Sequence, residues 1–509
     1  MSNSTIHSEG LQMPPERKVY DVVIIGGGIN GCGCAADAAM RGLSVLLCEQ
    51  GDLASKTSSS SSKLIHGGLR YLEQLEFGMV KKALTERQTL MQLAPHLIHP
   101  LPLVLPHEKS MRPLWFLRLG LFLYDHLSRK NKLPHSRFIR RFCDKLLFVP
   151  LNETIQNGFI FYDCATDDAR LTMENALQAK KYGAEILTQT ALIEASNSQD
   201  QWQLTLQPAN GERFQILAKS VINAAGPWVE AVNKQLNVPL DHNLSLIKGS
   251  HILVHKLYEG DHAYLLQNSD NRIVFVVPYH GYTMIGTTDV PLAQALDDIC
   301  IDNIEIDYLF DLVNRYFNTH LKNQDIVNSW TGVRPLVSSK TKNPSTLSRE
   351  YAYFFSKTPA PSVTIYSGKI TTYRQLALEV INQLKSVFPN LADSKTGHTS
   401  LPGATWRELS FQDYQAYAIE KYHWLDEDTL SRYLKNYGTR TESLLINCHS
   451  IQDLGICFTE TLYQVEVDYL IKEEWATSCE DILWRRTKLG LNINTDAVTS
   501  LSDYVKLKV

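Results

Sequence analysis

The first strong hydrophobic pattern in the chain lies near its N-terminus. Residues 20–25 form a short run that is mostly β-branched and apolar, residues 32–41 are rich in alanine and other small residues, and residues 43–48 form a second apolar run. Continuous apolar runs are typical of strands that are buried on both faces, and a helix of small residues can pack closely on a sheet. The pattern therefore predicts a strand–helix–strand unit.

A glycine-rich turn, Gly26–Gly31, directly follows the first predicted strand. Its glycines permit a tight turn, a close approach to a pyrophosphate and close helix–strand packing, while the helix N-terminus offers free N–H groups to the anion. Glu49 ends the second predicted strand. A carboxylate there can accept hydrogen bonds from both ribose hydroxyls and would repel a 2′-phosphate. These features predict an adenine dinucleotide other than NADP, but they do not separate FAD from NAD.

Later parts of the chain repeat the strand pattern. The apolar residues 220–222 and 363–366 are expected to return the chain to the nucleotide-binding sheet. Residues 272–278 and 282–285 are strand-like runs on either side of His280–Gly281, which predicts an antiparallel hairpin in a separate sheet.

Size and composition indicate a soluble protein with several domains. The 509 residues exceed what one hydrophobic core usually organises. Charged residues make up 20% of the chain and the net charge is −4, so we expect no nucleic-acid partner. The nine cysteines form no C-x-x-C pair, which favours a reducing compartment, the cytoplasm, over a disulfide framework or a metal site.

Targeting and membrane-spanning segments are not expected. Residues 1–17 are polar and have the composition of a disordered tail. No stretch approaches the roughly 18 consecutive apolar residues that a spanning helix requires. Residues 112–145, however, interleave aromatic and leucine side chains with arginine and lysine, which is typical of a segment that docks on an anionic membrane surface. An ordinary amphipathic helix with a solvated basic face would give the same pattern.

One long motif and several shorter blocks carry a resemblance to a known family. Residues 57–73 read TSSSSSKLIHGGLRYLE. This motif, together with six shorter blocks, resembles the FAD-dependent, aerobic, quinone-linked glycerol-3-phosphate dehydrogenases, and the resemblance covers nearly the whole chain. The shorter blocks are KGSH at 248–251, GTTD at 286–289, GVRPL at 332–336, GKITTYR at 368–374, EEWA at 473–476 and DILWRRT at 481–487.

The resemblance implies oxidation of sn-glycerol 3-phosphate to dihydroxyacetone phosphate by hydride transfer to FAD, with electrons passed on to membrane quinone. It implies a cytoplasmic protein that is peripherally attached to the inner face of the cell membrane, and a homodimer is an assembly that we consider. The expected fold is α/β, with a discontinuous, Rossmann-like FAD-binding domain, an antiparallel-sheet substrate cap and a C-terminal helical domain. We assign residues 18–97, 155–235 and 330–400 to the FAD-binding domain, 98–154 and 236–329 to the cap and membrane-facing segment, and 401–509 to the helical domain.

Three glycine- and serine-rich segments are expected to contact FAD. The serine run offers hydroxyls and N–H groups, the small residues after Asn223 let the backbone approach the cofactor, and a helix beginning near Thr371 directs its positive end toward reduced flavin. The predicted cofactor-binding residues are Gly26, Gly28, Asn30, Gly31, Glu49, Ser58, Ser60, Ser62, Lys63, Leu64, Ala225, Gly226, Trp228, Asp289, Gly368, Lys369, Thr371 and Thr372.

Oxidation of a secondary alcohol needs a base at the hydroxyl oxygen and, for this substrate, cations at the phosphate. Arg70 and Arg334 have glycine or proline nearby, so we expect them in turns, where a planar guanidinium can donate two parallel hydrogen bonds to phosphate. Lys369 is expected at the phosphate or the reduced flavin, and Tyr71 as a hydrogen-bond donor to the substrate.

Two histidines are candidates for the base. His251, at the start of a predicted strand, is the first choice because it lies in a block shared with the family. His66 is the alternative, although it could equally brace the serine loop.

Two other functions are kept open. The chain could be a soluble FAD-dependent amino-acid or amine oxidase, which would reduce oxygen to peroxide, or a flavin-binding protein without catalytic activity. Reduction of the bound flavin by substrate in the absence of oxygen separates the three possibilities.

Overall fold

The computed structural model describes residues 18–108, 112–198, 200–270, 272–292, 296, 299–337, 350–406 and 410–509; the predicted tail at 1–17 lies outside these residues. The strands in this part of the chain, β1 to β20 in order, are Val19–Ile25, Val45–Cys48, Leu64–Ile65, Ile98–His107, Arg137–Arg140, Asn157–Thr166, Glu185–Leu187, Thr190–Ser198, Gln201–Pro208, Phe214–Asn223, Leu244–His255, Ala263–Gln267, Ile273–Tyr279, Tyr282–Gly286, Val290–Pro291, Ile326–Val337, Ala352–Ser356, Ser362–Ser367, Cys457–Thr459 and Leu462–Tyr463. The α-helices, α1 to α12, are Ile29–Met40, Phe77–Leu93, Leu114–His126, Asp168–Lys181, Val229–Leu236, Asn303–Tyr316, Tyr373–Gln383, Phe411–Lys421, Glu427–Tyr437, Thr441–Leu444, Gln464–Glu474 and Thr495–Lys508.

The first sheet has the strand order β17-β18-β10-β1-β2-β7, with β8 and β9 joined to β10 as an antiparallel extension. Strands β1, β2, β7, β10 and β18 run parallel. Helix α1 crosses from β1 to β2 and packs between α4 and α7. Its alanines and cysteines are almost fully buried, because side chains of this size let the helix lie close to the sheet. The predicted strand–helix–strand unit is thus confirmed.

The second sheet has the order β15-β11-β14-β13-β12-β4-β6-β3, with β16 paired to β11 and β5 to β6. The predicted hairpin is confirmed as β13–β14, joined at His280 and Gly281, which both have positive φ as a type I′ turn requires.

Three strands that the predicted division assigns to the FAD-binding domain, β3, β6 and β16, lie in the second sheet. Strand β6, which we assigned to the FAD-binding domain, pairs with β4 over ten positions in the second sheet, and β16, assigned to the FAD-binding domain from residue 330, pairs with β11 in that sheet. The hydrophobic pattern indicates a strand but carries no information about its partner.

The C-terminal domain is helical, as predicted. Helices α8 to α12 surround a core that contains Tyr433, Tyr437, Leu470 and Ile482, and a short hairpin, β19–β20, is added to them. Residues Asp481–Arg486 form a single turn of π-helix. Arg485 and Arg486 of that turn contact Asp52 in the loop after β2, and the turn packs against α4.

Candidate cofactor and substrate site

A cavity of about 420 Å³ lies between the two sheets. In the first sheet, the residues that follow the carboxyl ends of β1, β2, β10 and β18 line this cavity. In the second sheet, parts of β11, β13 and β16 line it. Ligands of open α/β sheets bind at the carboxyl ends of the parallel strands, where helix N-termini and loop backbones converge. The predicted site therefore lies where the topology favours one.

Two glycines of the turn, Gly26 and Gly31, are packed so tightly that larger residues cannot replace them. Gly26 has φ +112°, and a Cβ there would lie 2.6 Å from the carbonyl oxygen of Ala224. A Cβ on Gly31 would lie 1.9 Å from the carbonyl oxygen of Gly26. Gly31 therefore serves helix packing and does not line the cavity, whereas Gly26 and Gly28 do.

Glu49 is held beside this turn by two backbone groups. Its Oε2 accepts a hydrogen bond from the N–H of Gly27 at 2.6 Å and its Oε1 accepts one from the N–H of Gly51 at 2.8 Å. Burial raises the pKa of Glu49, and these two N–H groups oppose the rise. Each carboxylate oxygen keeps a second lone pair for a ligand hydroxyl. Glu49 lines the cavity, as the ribose-binding prediction requires.

Asp168 organises the serine loop from behind. Its Oδ2 accepts hydrogen bonds from the N–H of Ser61 at 3.0 Å and from the Ser61 hydroxyl at 2.7 Å, and the ammonium of Lys63 lies 2.8 Å from both of its carboxylate oxygens. The Lys63 side chain thus turns to Asp168 and is absent from the cavity wall, so its predicted cofactor contact stays a prediction, while Ser58, Ser60 and Ser62 line the wall. Sequence reasoning missed Asp168 because an acid at the start of a helix is typical of ordinary capping.

Other features of the wall suit a bound dinucleotide. The Oδ1 of Asn30 is buried without a hydrogen-bond partner among the described residues. Gly226 has φ +56°, and a Cβ there would point into open space. An unpaired buried acceptor and a backbone bare of side chains are both expected where a polar ligand comes close. The remaining predicted contacts that line the cavity are Leu64, Ala225, Trp228, Asp289, Gly368, Lys369 and Thr371, whereas Thr372 is buried outside the wall.

Arg334 also lines the cavity, within strand β16 and not in a turn as predicted. Its Nη1 lies 2.5 Å from Oδ1 of Asp289, and its Nη2 donates to the Thr287 hydroxyl at 2.9 Å. Gly249 makes room for this arrangement, because a Cβ there would lie 2.5 Å from Arg334 Nη2. Asp289 and Thr287 therefore fix the direction of the guanidinium.

The two candidate histidines occupy different positions. His251 lies in the middle of β11 and not at its start; it is fully buried and absent from the cavity wall, and its Nε2 is 2.9 Å from the Ser62 hydroxyl. Burial, together with the nearby Arg334 and Lys63, lowers the pKa of His251 well below its usual value, so the ring is neutral at pH 7. His66 lines the cavity, with its ring 5.9 Å from that of Phe275. The structure therefore brings His66, and not His251, to the wall.

Lys369 contacts Tyr71, and Arg70 precedes Tyr71 in the same turn. Arg70 and Tyr71 belong to a 3₁₀ turn, Leu69–Leu72, that follows Gly68 in the left-handed conformation, and the ammonium of Lys369 lies 4.3 Å from the centre of the Tyr71 ring. All three line the cavity. Arg70, Arg334 and Lys369 thus place three cations on the wall that also carries His66.

A second cavity, of about 520 Å³, adjoins the first. Helix α3 contributes Phe116, Leu119 and Leu123 to its wall, and Arg70 and Ile273 line both cavities. The outer face of α3 exposes Trp115 and Phe122 by 68% and 56%. In the part of the chain that the structure describes, no helix has the length and apolar character needed to cross a bilayer.

Comparison with known proteins places the chain in a family. A family model described as FAD dependent oxidoreductase matches residues 21–355, which is more than half of the chain. The chain belongs to the FAD-dependent oxidoreductase family. A second model, described as the C-terminal domain of alpha-glycerophosphate oxidase, matches residues 394–507 of this family member.

Individual relatives of this oxidoreductase carry related names. The glycerol-3-phosphate dehydrogenase of Pseudomonas aeruginosa is 46% identical over 97% of this chain and 96% of its own length. The D-erythritol 1-phosphate dehydrogenase of Brucella abortus is 42% identical over 94% and 96%. The crystal structure of glycerol-3-phosphate dehydrogenase from Bacillus halodurans complexed with FAD has a TM-score of 0.72 over 97% of this chain and 95% of that chain, at 24% identity, which shows a common fold. The family resemblance and the fold class predicted from the sequence are confirmed.

Proposed function

We propose that this FAD-dependent oxidoreductase converts sn-glycerol 3-phosphate to dihydroxyacetone phosphate and passes the electrons to membrane quinone. The observation that carries the proposal is that one cavity is lined both by the glycine turn with Glu49 and by the cations of Arg70, Arg334 and Lys369. A dinucleotide on the glycine turn would leave Arg70 and Lys369, with Arg334 held by Asp289, to bind a dianionic phosphate.

Residues of the chain would bind the substrate and take its hydroxyl proton. The guanidinium groups of Arg334 and Arg70 would hold the phosphate, and His66, in the same wall, would accept the proton from the hydroxyl oxygen as the carbonyl forms. When bound, FAD would accept the hydride from the carbinol carbon, so that two electrons and both hydrogens leave the alcohol. His251 would act as a positioning residue by orienting Ser62.

The relatives support a polyol phosphate over an amino acid as the substrate. The Pseudomonas protein is named for glycerol 3-phosphate and the Brucella protein for D-erythritol 1-phosphate, and both substrates combine a phosphate with hydroxyl groups. We infer glycerol 3-phosphate because the relative named for it is 46% identical, against 42% for the other.

Anaerobic reduction of the flavin tests this proposal. The protein should be purified with FAD, and glycerol 3-phosphate should bleach the flavin absorbance without oxygen, whereas glycine and proline should not. Faster bleaching by D-erythritol 1-phosphate would reassign the substrate. Bleaching by an amino acid, with peroxide formed in air, would establish the oxidase alternative, and no bleaching by any substrate would favour a non-catalytic flavin protein.

The exposed apolar face of α3 supports quinone as the acceptor. Trp115, Leu119 and Phe122 are exposed on this helix, and the second cavity, which α3 lines with apolar side chains and which also carries four arginines, shares Arg70 with the first. An apolar helix face among basic residues binds anionic membrane surfaces, and a lipid-soluble acceptor would reach the flavin region along such a path.

Sedimentation with vesicles that contain anionic lipid tests the docking. The triple variant W115S/L119S/F122S should stay in the supernatant while the wild-type chain sediments. A matched control is I446S/L507S, which removes side chains that are 71% and 85% exposed on the C-terminal domain. Equal sedimentation of wild type and the triple variant would refute docking through α3, and reduction of a soluble dye but not of a short-chain quinone would refute the acceptor.

A further inference from the structure

Two neighbouring arginines of the C-terminal domain bind one carboxylate of the FAD-binding domain. Arg486 donates from Nη1 and Nη2 to the two carboxylate oxygens of Asp52, each at 2.7 Å, and Arg485 donates from Nε at 2.6 Å. Asp52 is 3% exposed and Arg486 1%. Loss of Arg486 would leave the buried Asp52 carboxylate with Arg485 alone, and its Oδ1 would lose the hydrogen bond that Arg486 donates.

Asp52 belongs to the loop that forms the nucleotide end of the cavity. Gln50, Ala54 and Ser55 line the cavity, whereas Asp52 does not. The N–H of Ala54 donates to the carbonyl of Gly27 at 3.1 Å, and the N–H of Ser55 donates to the carbonyl of Asp52 at 3.1 Å. The loop thus lines the cavity with Gln50, Ala54 and Ser55, while the Asp52 side chain binds the C-terminal domain.

A second contact from the same segment lies next to the residue that supports the serine loop. The ammonium of Lys488 lies 3.3 Å from Oδ2 of Asp167, which caps helix α4 by accepting from the N–H of Arg170 at 2.9 Å. The next residue, Asp168, is the carboxylate that holds Ser61. The C-terminal domain therefore contacts Asp52 and the neighbour of Asp168.

We propose that Arg486 is a positioning residue for the cofactor, and that the C-terminal domain keeps the loop around Asp52 in the shape that binds the dinucleotide. A loop that is held before binding loses less conformational freedom when the ligand arrives, so its affinity is higher. Arg486 does not line the cavity, and Asp52 is its contact with the cofactor-side loop; its Nε and Nη2 also donate to the carbonyl of Glu474 at 3.3 and 2.7 Å. The inference rests on the proposed binding of FAD in the first cavity.

FAD release from the purified holoprotein tests this role. Arg486→Met should raise the Kd for FAD, measured by recovery of flavin fluorescence on dilution, by about tenfold or more, since tenfold corresponds to about 1.4 kcal/mol. Two controls separate positioning from lost stability. Arg440→Met breaks a pair with Glu174 across the same domain interface and a pair with Glu474 inside the C-terminal domain. Arg432→Met breaks a pair with Glu466 inside the C-terminal domain.

Both controls should lower the melting temperature but change the Kd for FAD less than threefold. A Kd for Arg486→Met equal to that of Arg440→Met would overturn the inference while leaving FAD binding intact. If Arg486→Met does not fold, Asp52→Asn, which keeps the shape of the side chain, should weaken FAD binding severalfold, and a wild-type Kd would refute the role. Wild-type protein that binds no FAD would refute the proposed function as well.

Discussion

Asp168 gives the sharpest test of how the serine loop is held. Its carboxylate is completely buried and accepts hydrogen bonds from Ser61 and Lys63, and its Oδ1 also accepts from the N–H of Ala169 at 2.9 Å. Asp168→Asn keeps the shape but removes the charge, so the Lys63 ammonium is left in a buried place without its counter-ion. One amide hydrogen would also face groups that are themselves donors.

Removing one partner of a buried ion pair costs about 3–5 kcal/mol. Asp168→Asn should therefore lower the free energy of unfolding by about this amount, measured by urea denaturation with the same excess of FAD for every variant. The double variant K63M/D168N has no buried unpaired charge, and replacement of a buried pair by neutral or apolar groups is often close to neutral. It should thus be more stable than the single variant by about 2 kcal/mol.

Two outcomes would refute this reasoning. A loss below about 1 kcal/mol for Asp168→Asn would mean that water or loop movement compensates the Lys63 ammonium. If the loss of unfolding free energy in K63M/D168N equals the sum of the losses in K63M and D168N, the two side chains are not coupled.

The remaining predictions concern the residues proposed to bind the substrate and the stability of the protein at acid pH. Arg334→Met should raise the KM for glycerol 3-phosphate at least about tenfold, because a hydrogen bond to a charged group contributes about 1.5–3 kcal/mol. The flavin spectrum should stay intact. Wild-type kinetics of this variant would show that Arg334 does not bind the substrate. His66→Gln should lower kcat by roughly 10²–10⁴, and His251→Gln much less, with the reverse order restoring His251 as the base. Burial alone would raise the pKa of Glu474, but its two buried arginine partners outweigh burial and lower it from 4.5 to about 2. The contribution of Glu474 to stability is therefore complete above pH 4.5 and is lost as the pH falls toward 2. In that pH range, the urea midpoint of Glu474→Gln should fall less steeply than that of the wild type. An equal fall of the midpoint in both proteins would contradict this.

The sequence by itself determined the local features of the site. Gly26 and Gly31 lie where a Cβ would collide with the backbone, and the buried runs of β1 and β2 have the apolar pattern of central parallel strands. Such features depend on residues that are close in sequence, because turn sterics and side-chain periodicity are local properties. Glu49 could be found for the same reason.

Only the tertiary structure decided which side chains reach the cavity. His66 lines it and His251 does not, although both lie in blocks shared with the family, and Lys63 turns away because Asp168 holds its ammonium. The pairing of Asp52 with Arg486 joins residues 434 positions apart. Strand partners, buried ion pairs and the direction of a side chain depend on contacts between distant segments, and no periodicity in the chain encodes them.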